Sequence, residues 1–261
     1  MKAPKIILVV FVCAVFLFMY FPIIITLLFS FHSGKVPSLP FQGISFHWYS
    51  ELFRDPKLWE ALRNSLLVSI PSVIVSTVVG AAAAFLFQRS RFLGQGVMQM
   101  VIMMPYVLPG ILTGISLTLL FKFIGIPSSL FTVVVGHTVL TTPLVMIMTM
   151  NRLKRFDRNI ELASMDLGAS PFRTFFMITL PNIKGALIGG MLLGLIVSFD
   201  EVIITFFLIG TDNTLPMQIW SMIRYGFSPQ INAIYSIFIV LSLTIVFFFN
   251  KTGMKKEAGD L

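Results

Sequence analysis

Six apolar runs constrain this chain more than any other feature: residues 6–31, 62–87, 97–121, 130–150, 183–209 and 231–249. Each matches or approaches the length of about 20 residues that a helix needs to cross a bilayer. Of the 261 residues, 56% are hydrophobic and 11% are charged, which is more apolar surface than one soluble core of this length could hide. The excess must face lipid. An all-α, polytopic membrane helix bundle with about six spans is therefore expected. The first run follows Lys2 and Lys5 as a signal sequence would, but it is too long for one and no small-residue cleavage site follows, so it reads as a retained span.

The net charge of +8 reports topology rather than nucleic acid, because no basic patch is interleaved with aromatics in a soluble module. If the N-terminus is cytoplasmic, thirteen of the 19 Lys and Arg residues fall on inside segments and six outside. That is the bias expected of an inner-membrane protein with both termini inside. The single cysteine, Cys13, excludes a disulfide framework or a thiolate metal cluster. There is no P-loop, since Gly34-Lys35 lacks the earlier glycine and the following hydroxyl, so the chain cannot hydrolyse ATP alone. His32, His47 and His137 are scattered; no catalytic constellation is visible, and His137 reads as a hydrogen bond between packed helices. No cofactor and no metal are expected.

Small residues mark helix contacts. Gly185-xxx-Gly189, Gly190-xxx-Gly194 and Ser76-xxx-Gly80-xxx-Ala84 let backbones approach where lipid offers no hydrophobic drive for association. Pro105, Pro109 and Gly110 predict a kink or local unwinding in the third run, either as function or as ordinary membrane-helix irregularity. After the first run, Phe46-His47-Trp48-Tyr49 with Leu52-Phe53 and Leu58-Trp59 predicts a short interfacial helix. Trp48 is a candidate for the pore mouth or for a simple interfacial anchor.

The longest inside loop, about 151–182, carries a full set of helix punctuation. Asp157 can cap a short helix through Glu161, Ala163 and Asp166. Gly168 supplies a left-handed stop. Ser170-Pro171 restarts the helix, which should end or bend near Pro181. The product is a two-helix knob, too short for a domain and too ordered for a linker.

Leu162-Ala163-Ser164-Met165-Asp166-Leu167-Gly168-Ala169 followed by Ile178-Thr179-Leu180-Pro181 resembles the EAA loop of bacterial ABC importer permeases. Gly168, Ile178, Leu180 and Pro181 match that pattern in register, whereas its glutamate falls on Leu162, with Glu161 one residue early and about 100° around the helix. The resemblance implies one permease domain over 1–261 (core about 62–250) with the type I ABC importer fold. In it, Glu161, Leu162, Ala163, Asp166, Gly168, Ala169 and Pro181 would couple to an ATPase subunit. It also implies a second permease subunit of different sequence, two ATP-binding cassette subunits that bind the ATP, and an extracytoplasmic solute-binding protein. Trp48-Tyr49-Ser50, Ser198-Phe199-Asp200-Glu201, Leu215-Pro216-Met217 and Ser228-Pro229-Gln230-Ile231-Asn232-Ala233 resemble the spermidine/putrescine branch; phosphonate, opine and amino-acid transporters share much of this. The polyamine branch tends to carry an acid where Tyr106 stands here.

Asp200 and Glu201 are predicted well inside the fifth run, where each ionised carboxylate costs about 2.5–3.5 kcal/mol. Acids in such places face a bundle interior or a watery cavity, and a passing cation would balance them. Alternatively, one is protonated or paired with Lys122 or with a base of the partner subunit. Ser198 could add a hydroxyl to the path. A secondary transporter remains the rival class, but it should show repeated halves, and none is visible.

Overall fold

A computed structural model describes residues 3–36, 38–225 and 229–257. Its helices are α1 Ala3–Phe29, α2 His47–Arg54, α3 Pro56–Arg89, α4 Gln95–Val107, α5 Gly110–Phe123, α6 Leu130–Arg155, α7 Asn159–Asp166 and α8 Pro171–Thr174. A π-helical stretch, Phe175–Thr179, comes next, then α9 Leu180–Asp200, α10 Ile203–Leu208, α11 Leu215–Tyr225 and α12 Gln230–Glu257. No named strand occurs among the described residues. Lys2 and Ser228 lie outside them, as do the side chains of Lys251, Lys255 and Lys256.

Two compact units make up the chain, one of residues 1–58 with 219–261 and one of residues 59–218. In the first, α1 and α2 both pack on α12. Tyr49 fastens this unit: its hydroxyl hydrogen-bonds Ser30 Oγ at 2.8 Å and Ser236 Oγ at 2.7 Å. The predicted interfacial helix is present as α2, but it is shorter than expected. Asp55 accepts the Lys57 N–H at 2.9 Å and α3 starts at Pro56, so Leu58 and Trp59 belong to α3.

The second unit holds the loop between α6 and α9 and the acids of the fifth run. Among the described residues, four helical stretches are long and apolar enough to span a membrane, and α4 with α5 makes a fifth if that bent pair counts as one span. The expected six are thus not all present as straight spans. The third run breaks through 109° between α4 and α5 because Leu108, held extended at ψ 147° ahead of Pro109, cannot continue the helix. The sixth lies in α12, whose described apolar part is Gln230–Thr244.

Close helix approach follows the small residues selectively. A side chain at Gly80 would meet the Thr142 carbonyl at 2.8 Å, and one at Gly190 would meet Val145 Cα at 3.2 Å. Gly194 faces Thr141, whereas Gly185 faces open space. The second glycine pair therefore seats α9 on α6, and the first pair touches α6 only through Gly189, against the tip of Met148. Ala84, Phe87, Met146, Met150, Leu153 and Ile183 form the core of this region.

Candidate functional site

Local chemistry builds the loop between α6 and α9 almost completely. α6 runs on to Arg155, so the loop starts later than 151. The Asp157 carboxylate accepts the Asn159 N–H at 2.9 Å, but it stands one residue before the N-cap, which is Arg158 rather than the expected Asp157. At the far end Gly168 adopts φ +87°. The Gly168 N–H donates to Met165 O at 2.9 Å and the Ala169 N–H to Ser164 O at 3.1 Å; this pair of bonds constitutes a Schellman stop. Ser170 Oγ then accepts the Arg173 N–H at 3.3 Å with Pro171 in the first helical turn. Ser164 and Thr174 hydroxyls join the two helices at 3.1 Å.

The expected end or bend at Pro181 takes another form. Pro171–Asp200 is one helical path of 30 residues, widened to π geometry over Phe175–Thr179. The Leu180 N–H reaches back five residues to Phe175 O. Widening the turn ahead of Pro181 relieves the clash that its ring would make with the carbonyl four residues earlier. The knob is therefore a compact loop of residues 156–170 set on the end of a long helix.

Glu161 points into the protein. It is the only buried residue of α7. Its Oε1 accepts from Arg89 Nη2 at 2.8 Å and from the Thr179 hydroxyl at 2.7 Å. Arg89 lies on the last turn of α3, with its guanidinium 5.7 Å from the Phe85 ring centre, and the Phe85 and Phe175 rings stand nearly perpendicular with centres 5.2 Å apart. Leu162 and Leu167 are exposed instead, Leu167 at 90%. Ala163, Gly168 and Ala169 line a shallow concavity with Ile160 and Arg173. Asp166 closes α7 on its exposed side, and Pro181 stands in the first turn of α9.

The acids of the fifth run do not sit at a helix centre. α9 stops at Asp200, Glu201 is extended at ψ 118°, and α10 begins at Ile203. Glu201 Oε1 accepts the Ile204 N–H at 2.9 Å, so this carboxylate caps α10. Asp200 is exposed. Neither acid forms an ion pair with Lys122 among the described residues.

Ser198 is buried and hydrogen-bonds His137 Nδ1 at 2.8 Å, while His137 Nε2 meets Thr205 Oγ1 at 2.8 Å. His137 thus ties α6 to both sides of the break, as a packing histidine. Ser198, a candidate hydroxyl for the path, shares a hydrogen bond with His137. α10 packs on α5 and α6, with the Phe207 and Leu208 carbonyls accepting from Thr118 and Thr132 hydroxyls at 3.0 and 2.7 Å.

Tyr106 is half exposed near the end of α4, ahead of the bend. Trp48 belongs to the other compact unit, where its Nε1–H donates to His32 O at 2.8 Å. Arg89, Thr179 and Thr205 are site residues that the sequence reading missed. Arg89 was legible only as one more basic residue, and the partnerships of all three cross long sequence separations.

Among the described residues, four long apolar helices, a bent helix pair and a capped loop at one helix end describe a polytopic membrane protein. Residues 76–251 match the family of binding-protein-dependent transport system inner membrane components. The chain is 37% identical over 227 residues to the putrescine transport system permease protein PotI of Escherichia coli, covering 84% of this chain and 80% of the relative. It is 32% identical over 251 residues to the spermidine/putrescine transport system permease protein PotC of the same organism, covering 96% and 95%. In fold it is similar to a bacterial ABC transporter involved in import of the acidic polysaccharide alginate, at TM-score 0.73 and 19% identity, covering 97% of this chain and 96% of that one.

The protein belongs to the binding-protein-dependent transport system inner membrane component family. It is a multi-pass inner-membrane permease subunit of an importer, with the type I ABC permease fold.

Proposed function

We propose that this permease forms half of the path for a small cationic solute of the polyamine type, driven by ATP that partner subunits hydrolyse. One observation carries the cationic reading. The break at Asp200 leaves the carbonyl end of α9 and an exposed carboxylate together. Helix carbonyl ends carry partial negative charge and favour cations. The Glu201 carboxylate accepts the Ile204 N–H of α10 while Asp200 is exposed, so Asp200 is the acid that meets the solute, and Tyr106 lines the path more weakly. The names of the two Escherichia coli relatives support a diamine or triamine.

The loop of residues 156–170 is the coupling element that an ATP-binding cassette subunit grips, using the exposed side of α7 around Leu162 and Leu167. It lies on the cytoplasmic side together with both termini, which the bias of Lys and Arg supports. A second permease of different sequence completes the path, two ATPase subunits drive it, and an extracytoplasmic binding protein delivers the solute.

Uptake of labelled putrescine by the assembled importer in liposomes tests the reading, with ATP enclosed and no ion gradient imposed. Asp200→Asn should cut that uptake at least about tenfold, the order of one lost charge-assisted contact, while assembly is unchanged. Uptake of a neutral amino acid or a phosphonate in place of putrescine would overturn the cationic reading. Uptake that needs a proton gradient would point to the secondary-transporter class.

A further inference from the structure

A buried charge helps to fasten α7 to its own chain. Eight residues long, it buries a single residue, and that residue is Glu161. The carboxylate bridges two separate elements: Arg89 at the end of the 34-residue α3, and Thr179 in the π-helical stretch that leads into α9. Its side chain is 10% exposed and that of Arg89 16%, so water screens this pair little. Phe85 backs the guanidinium and Phe175 backs Phe85, which holds Arg89 in one arrangement. Ala163 and Asp166, on the side of α7 away from Glu161, stay exposed, as does Leu162 about 100° around the helix.

Besides this carboxylate, α7 is held by the Ser164–Thr174 hydroxyl bond to α8 and by the partly covered Ile160, Leu162 and Met165. Bonded to α3 and to the base of α9, it must carry both with it. We propose that Arg89, Glu161 and Thr179 form an internal latch that transmits movement of the α7 loop into α3 and α9. Glu161 is then a positioning residue working inside this chain, and the ATPase subunit engages the exposed side of α7 without it. The proposal rests on the coupling role assigned to this loop.

The assembled importer in liposomes tests it, with putrescine uptake and ATP hydrolysis read in the same sample and retention of the ATPase subunits read by co-purification. Glu161→Gln and Thr179→Val should each retain the ATPase subunits yet move roughly tenfold less putrescine per ATP, within the usual range of coupling between sites. The exchanged pair Arg89→Glu with Glu161→Arg should recover part of that ratio, which a general loss of folding would not allow. An unchanged ratio in both single variants overturns the latch alone. Detachment of the ATPase subunits by Glu161→Gln but not by Thr179→Val overturns it too, since the glutamate would then act on the neighbour. A wild-type importer without ATP-driven uptake overturns the coupling reading, and the latch falls with it.

Discussion

Replacing Gly168 isolates the backbone contribution to the loop of residues 156–170. Its φ of +87° lies in the left-handed region, and a Cβ built there meets nothing within 4 Å. Steric contact with neighbours therefore adds nothing, and the whole cost of a side chain is conformational. For alanine that cost is about 1–2 kcal/mol, which lowers the population of the native stop by roughly 5–30-fold. Asparagine, which tolerates this region, should lose less, and valine, branched at Cβ, should lose most. The Gly168 and Ala169 amides, which donate to Met165 and Ser164, report the change directly. Hydrogen exchange of peptides spanning residues 162–170 should speed up in the order Gly, Asn, Ala, Val, with ATP-driven transport falling in the same order. Wild-type exchange in the valine variant would refute the stop as the source of the loop's shape.

Other outcomes follow from packing and hydrogen bonding. Gly80→Ala should destabilise the protein by roughly 1–3 kcal/mol, since the new methyl meets the backbone of α6. Gly185→Ala faces open space and should stabilise by roughly 0.5–1 kcal/mol; thermal unfolding in detergent separates the two. His137→Ala should cost about 3 kcal/mol in the same assay, from the cavity and the orphaned Ser198 hydroxyl. Glu201→Gln keeps an oxygen for the Ile204 N–H and should fold like the wild type, whereas Glu201→Ala should lose about 1 kcal/mol of cap and speed amide exchange at the start of α10.

What the sequence could reveal depended on whether the cause was local. The signals at Gly168 and Ser170-Pro171 act within a few residues and produced the stop and restart expected of them, whereas the cap expected at Asp157 falls one residue later, on Arg158. Pro109 likewise marked the bend that divides the third run. The break at Asp200 was invisible, because no proline or glycine stands there. It exists because Glu201 turns back to cap α10 and because α10 finds carbonyl partners on α5 and α6. The inward turn of Glu161 was equally hidden. Its ion-pair partner is 72 residues away, and the one-residue offset from the family pattern gave only an angle around α7, not the residue that would fill it. Pro181 misled for a simpler reason: a proline sets a local constraint, and the chain met it by widening a turn rather than by stopping.

We place the loop around Leu167 on the cytoplasmic side, gripped there by an ATPase subunit. A Leu167→Cys variant, with Cys13→Ser removing the one native thiol, tests both parts with one bifunctional, membrane-impermeant thiol reagent. We expect no reaction in intact cells, and a cross-link to the ATP-binding cassette subunit once the membrane is opened. Labelling from outside, or a thiol that is reached without ever capturing that subunit, would contradict the account.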